Sequence, residues 1–146
     1  MLEKKIFESK IKNLEKAINS FKEASIFSKK EENNEKLFNL LRDSVIQRFV
    51  YSYELSWKFM KFLLEKKEKE IETRWARQCL KTAFRLWYID NLNIWFDMID
   101  YRNKTSHEYE EDVADSLYDR SNEFLEEMIK FYELIKIKQN EQGYFE

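Results

Sequence analysis

The sequence has 146 residues, 43% hydrophobic and 37% charged, with a formal net charge of -2. That length suits one domain spanning residues 1–146, and the composition excludes a disordered chain. The near-neutral balance excludes a global pull toward nucleic acid or an anionic membrane, so any such attraction must come from local patches.

Proline is absent and Gly143 is the single glycine. The residues that punctuate hairpins and tight turns are therefore missing, and the chain reads as an all-α, up-and-down bundle of about five helices. Phe7, Ile11, Leu14, Ile18 and Phe21 repeat at helical spacing and predict a helix from Glu3 to Phe27. The polar run SKKEENNEK, residues 28–36, is a connection. A second stripe through Leu37, Leu41, Val45, Phe49, Phe59, Met60, Leu63 and Leu64 predicts the long spine of the bundle, and KKEKE, residues 66–70, a solvated loop.

Thr73 is placed as the N-cap of a third helix reaching Ile89. On it, Ala76, Cys79, Leu80, Ala83 and Trp87 share an apolar side, and Arg74, Arg77, Lys81 and Arg85 share a basic one. That basic stripe reads either as a solvated face or as a contact for phosphates or an acidic partner. Ile94, Trp95, Met98 and Ile99 begin a fourth helical stretch. The last helix spans Glu111 to Lys136, with acids at the positive end of its dipole, and residues 139–146 are expected as a tail. The single cysteine, Cys79, permits no internal disulfide. MLEKKIFESKIK mixes acids and bases where a signal peptide needs an apolar run, and no segment approaches a membrane span, so a cytoplasmic protein is expected, away from membranes.

RNKTSHEY, residues 102–109, contains the single histidine. Residues five apart on a helix diverge by about 140°, so Arg102 and His107 cooperate only if the helix ends between them. Asn103, Thr105 and Ser106 favour such an end, and Thr105 with Glu108 matches the spacing of a capping box. In an extended segment, His107 and Tyr109 would share a side. A group that exchanges protons near neutrality, beside a permanent phosphate binder, suits phosphodiester chemistry. One histidine and one cysteine form no zinc ligand set, and Asp97 with Asp100 is weak ligation for magnesium, so no metal and no cofactor is expected. On composition and spacing alone, a structural histidine remains open beside a catalytic one.

The same segment resembles the R-x4-H-x-Y motif of HEPN-domain proteins. IQRFVYSYELSWK, residues 46–58, resembles the long-helix signature of the nucleotidyltransferase substrate-binding branch of that fold. CLKTAF, residues 79–84, and WFDMIDYRNKTSHEY, residues 95–109, follow in that branch's order, and the resemblance covers roughly residues 5–137. It implies a dimeric bundle with a HEPN-like four-helix core, partnered by a minimal nucleotidyltransferase. In toxin and antitoxin pairs of this kind, the HEPN subunit is a metal-independent ribonuclease. Arg102 and His107 match its catalytic pair, and Asn103 its accompanying polar residue. The nucleotidyltransferase silences such a toxin by adding AMP to the motif tyrosine, here Tyr109. Three positions depart from the pattern: Val50 replaces an acid, Arg74 follows Thr73 in place of a proline, and Trp87 replaces a small residue.

Two functions follow from these readings. One is the toxin subunit, an endoribonuclease with RNA as substrate, in which a homodimer brings two motifs together. The alternative is a non-catalytic substrate-binding subunit of a nucleotidyltransferase complex, in which Arg74, Arg77, Lys81 and Arg85 dock an acidic partner or hold a nucleotide phosphate. The six acids between Glu108 and Asp119, with no base among them, oppose RNA unless a partner screens them.

Overall fold

A computed structural model describes residues 2–145. Among them are five helices and no strand: α1 (Leu2–Lys30), α2 (Glu35–Lys66), α3 (Ala76–Arg85), α4 (Leu92–Lys104) and α5 (Glu111–Gln142). The predicted stripes are the buried faces. Phe7, Leu14, Ile18 and Phe21 from α1 meet Phe49, Phe59, Met60 and Leu63 from α2, and Phe124, Met128, Phe131 and Ile135 from α5 close the core. Burying a phenylalanine is worth on the order of 1.5–3 kcal/mol, so this aromatic seam supplies much of the drive to fold. Among the described residues no helix is long and apolar enough to cross a membrane.

The pairings fix the topology. Phe7 contacts Phe59, and Arg48 donates to Ser20, so α1 and α2 are antiparallel. Asp97 pairs with Arg120 and Asp90 with Lys130, which makes α4 and α5 antiparallel as well. Contacts Arg42–Glu111, Phe49–Phe124 and Phe59–Phe131 run α5 parallel to α2. The result is an up-and-down bundle of α1, α2, α4 and α5, with short α3 inserted in the connection between α2 and α4.

Three expectations about helix ends are corrected. Thr73 does not cap α3: it is buried, and its hydroxyl donates to Glu65 at 3.4 Å. The chain stays extended through Trp75, which occupies the N-cap with no side-chain bond, while Gln78 accepts from the Arg74 amide. Arg74 therefore lies outside the helix whose basic face it was assigned to. At the other end, Trp87 is not on the apolar face, because α3 stops at Arg85 and Trp87 is 82% exposed. The Trp87 amide donates to the Phe84 carbonyl and that of Tyr88 to Ala83, which is a Schellman motif, and Trp87 holds its left-handed position at φ 67°. The segment expected as a tail also differs. α5 continues to Gln142, and Tyr144 and Phe145 return to the core, where Phe145 stacks on Phe7 and Phe62.

The left-handed conformation costs a residue with a Cβ roughly 1–2 kcal/mol, and glycine avoids it at some cost in unfolded-state entropy. Trp87→Gly is expected to stabilise the domain by about 1 kcal/mol, raising the thermal midpoint by roughly 2–4 °C. A lower midpoint in a melting experiment would show instead that the exposed indole contributes packing that outweighs the strain.

Candidate functional site

The last turn of α4 delivers Arg102 to the middle of α2. Its Nε donates to Glu54 Oε1 at 2.8 Å, and among the described residues this is the one side-chain hydrogen bond the guanidinium makes. Its terminal nitrogens make no side-chain hydrogen bond among the described residues. The second Glu54 oxygen accepts from Trp57 Nε1 at 3.3 Å and lies 3.4 Å from Lys58 Nζ. Burial pushes the Glu54 carboxyl up, but the hydrogen bond and charge of Arg102, with help from Trp57 and Lys58, outweigh it and hold the group below its ordinary value. Glu54, which accepts from Arg102, was not singled out in the sequence reading.

The helix ends where cooperation between Arg102 and His107 requires. α4 closes at Lys104, with Thr105 at the C-cap, and the Thr105 hydroxyl donates back to the Tyr101 carbonyl at 2.9 Å. Ser106 donates to the Asn103 carbonyl at 2.7 Å in the same way. Thr105 therefore terminates α4, and the capping box with Glu108 does not form, because α5 begins only at Glu111 with Glu110 at its N-cap. His107 sits in the bend that follows and is exposed; among the described residues no hydrogen bond or ion pair engages its ring. Tyr109 differs from it in burial, being half-buried and packed against the core. Burial and the Asp43 carboxylate hold the Tyr109 phenol above its ordinary value, with Arg42 opposing them.

Beyond the loop, α5 is anchored by Arg42 on α2, whose side chain is only 4% exposed. Arg42 donates to both Glu111 oxygens, at 2.7 and 3.2 Å, and to Asp115 at 3.0 Å and Asp43 at 3.1 Å. Two of the six acids flanking the motif are thereby paired within the chain. The Glu111 hydrogen bond is the main influence raising the Arg42 pKa further, and in return Glu111 is held below its ordinary value.

The predicted basic stripe is exposed but divided. Arg85 pairs with Glu70 at 2.9 Å, and Arg77 lies 3.8 Å from Asp100 and over the Phe96 ring. Lys81 is exposed on the same helix. Arg74, set apart by the late start of α3, instead joins Arg102 and Asn103 in the wall of a groove of about 400 Å³. Among the described residues neither His107 nor Tyr109 lines it. Asp97 and Asp100, weighed above as magnesium ligands, are engaged by Arg120 and Arg77 respectively.

The family described as nucleotidyltransferase substrate binding protein like matches residues 9–137. "Probable ribonuclease HepT" of Haemophilus influenzae is 34% identical over 83 residues, covering 55% of this chain and 57% of that protein. The matched part thus spans less than two thirds of that relative. Among solved structures, HI0074 from Haemophilus influenzae, the fold of a substrate binding domain of a nucleotidyltransferase, superimposes with a TM-score of 0.76 at 26% identity. It covers 86% of this chain and 98% of its own. A protein from Thermus thermophilus shares the fold at a TM-score of 0.71 and 23% identity, covering 84% of this chain and 98% of its own.

The opposing influences on Glu54 make a test of its geometry. In the native protein its carboxyl titrates below the ordinary 4.5. In Arg102→Ala both lowering influences of the guanidinium are gone while burial remains, and the value is expected to rise. Because the folded value is depressed, the pair's contribution to stability is fully present above the ordinary carboxylate value and is lost as pH falls through the depressed one. Carboxyl-carbon NMR titration of the two proteins measures this, and an unmoved Glu54 resonance would show that the pair does not persist in solution.

Proposed function

The chain belongs to the nucleotidyltransferase substrate binding protein like family, and on that premise we propose that it is the HEPN toxin subunit of a nucleotidyltransferase/HEPN pair, a metal-independent endoribonuclease of the cytoplasm. The observation that carries the reading is the helix end between Arg102 and His107. It leaves Arg102 oriented by Glu54 beside a cationic groove and His107 exposed on the adjoining loop. Had α4 continued through residue 107, the two side chains would diverge.

In the proposed reaction His107, in its neutral form, takes the proton from a ribose 2′-hydroxyl. The freed oxygen attacks the adjacent phosphorus, and the 5′-oxygen of the next nucleotide leaves and is protonated. Arg102 offsets the negative charge that grows on the phosphate oxygens, and Asn103 orients the phosphate. Each chain has one histidine, so base and acid are supplied together when two copies bring their motifs to one groove. A homodimer is therefore part of the proposal. The nucleotidyltransferase partner acts as antitoxin by placing AMP on Tyr109, adding bulk and negative charge two residues from His107.

The second reading, a non-catalytic substrate-binding subunit, is favoured by the exposed acids Glu108, Glu110 and Asp112 beside the motif, which repel a polyanion. Its docking surface is narrower than the sequence suggested, since Arg77 and Arg85 are already paired within the chain.

Purified protein incubated with labelled RNA in EDTA is expected to cleave it. His107→Ala should slow cleavage by about 10²–10⁴-fold, and Arg102→Ala by about 10²–10³-fold. Protein coexpressed with its nucleotidyltransferase should carry AMP on the Tyr109 peptide by mass spectrometry and be inactive. Folded, unmodified protein that leaves RNA intact would favour the binding subunit, and cleavage unchanged in His107→Ala would remove that residue from the mechanism.

A further inference from the structure

The groove beside Arg102 gathers further cations around it. Three cations, Lys58, Arg74 and Arg102, share its wall with one carboxylate, Glu54, and with Trp57 and Trp75. Its volume of about 400 Å³ falls within the roughly 300–1,000 Å³ of pockets that hold small organic ligands. Trp75 stands out in this wall. It is 64% exposed at the N-cap of α3, where its side chain does no capping, and the Arg74 guanidinium lies over its ring at 4.8 Å. Exposing that much indole costs hydrophobic free energy that neither the cap nor the core recovers. The Arg74 charge over the ring would also reinforce stacking by a flat, electron-rich partner. Trp57, by contrast, is fixed from below through its bond to Glu54, the same carboxylate that orients Arg102.

We propose that this groove is a subsite for single-stranded RNA, in which one nucleobase stacks on Trp75 and the adjoining phosphate is held by Lys58 and Arg74, next to the phosphate that Arg102 engages. The inference rests on the functional reading above and extends it, naming the residues that hold the strand outside the reacting bond. Stacking on an indole accepts any base, so this subsite contributes affinity and register more than sequence choice. The phosphate contacts make that affinity depend on salt. Because Glu54 links Arg102 to Trp57, occupancy of the subsite and orientation of Arg102 share one carboxylate.

The test uses a 2′-O-methyl RNA octamer, which lacks the nucleophile and so reports binding without cleavage. Binding is followed by fluorescence anisotropy on the whole chain. Trp75→Ala is expected to weaken it about tenfold, Trp75→Phe to retain most of it, and Trp87→Ala, which removes an exposed indole at the other end of α3, to leave it unchanged. Lys58→Gln and Arg74→Gln should each lower the salt dependence of binding by roughly one phosphate contact. An octamer with a single abasic site should lose the Trp75 contribution when bound in that register. Equal affinity of Trp75→Ala and native protein would overturn the subsite, as would binding of ATP as tight as that of the octamer, which would make the groove a mononucleotide pocket. Failure of the two readings is distinguishable. Trp75-dependent binding without cleavage of ordinary RNA sustains the subsite and removes the nuclease, whereas cleavage at the native rate by Trp75→Ala, with RNA below saturation, sustains the nuclease and removes the subsite.

Discussion

Helix α2 holds both ends of the motif segment by ion pairs of opposite sense. At one end its Glu54 accepts from Arg102 in the last turn of α4, and at the other its Arg42 donates to Glu111 in the first turn of α5. The two anchors lie about 12 residues apart on α2, roughly 18 Å along the helix. The connection from Thr105 to Glu110 spans them with no regular structure of its own. Nothing else in the loop needs to be rigid for its ends to be placed, so the bend that carries His107 can stay exposed on a fixed base.

The two anchors differ in strength for a physical reason. Arg42 is buried and receives three acids whose own side chains are 48–76% exposed. A buried guanidinium left without partners costs about 3–5 kcal/mol, whereas each exposed acid alone adds little. That cluster is therefore a structural rivet. The Glu54–Arg102 pair is only partly buried, with Arg102 36% and Glu54 24% exposed at the side chain. It orients a group without sealing it from solvent, which is what a phosphate-binding arginine requires. The acids of the motif flank divide along the same line. Glu111 and Asp115 belong to the rivet, and Glu108, Glu110, Asp112 and Asp119 remain outside it.

Much of the fold was legible because the chain offers few alternatives. Without proline or an internal glycine, the 3.6-residue stripes decide each helix, and Phe7, Phe49, Phe124 and their neighbours are buried where those stripes put them. Ends were less legible, since they depend on tertiary partners. Thr73 looked like a cap but is drawn inward to Glu65, and Trp87 continued the apolar stripe of α3 only on the assumption that the helix went on. Tyr144 and Phe145 were hidden because a short aromatic pair after a glycine carries no periodic signal. Within the site, Arg102, Asn103 and His107 were named from the motif, and the helix end between Arg102 and His107 was foreshadowed by Asn103, Thr105 and Ser106. Glu54 was missed although it lies inside the quoted stretch YELSWK. Residues at i and i+4 share a helix face, so Glu54 stands one turn after Val50 on the same side of α2. Glu54 presents its carboxylate on that face.

The proposed chemistry is in-line attack by a ribose 2′-hydroxyl, assisted by His107 and stabilised by Arg102, at a site that needs no metal. The decisive experiment is to map the ends of RNA cut in EDTA and to repeat the reaction on a strand carrying a 2′-deoxynucleotide at the scissile position. Attack by the 2′-hydroxyl requires 2′,3′-cyclic phosphate and 5′-hydroxyl ends, with no cut at the deoxy position. Ends bearing a 3′-hydroxyl and a 5′-phosphate, or cleavage that ignores the missing hydroxyl, would contradict it.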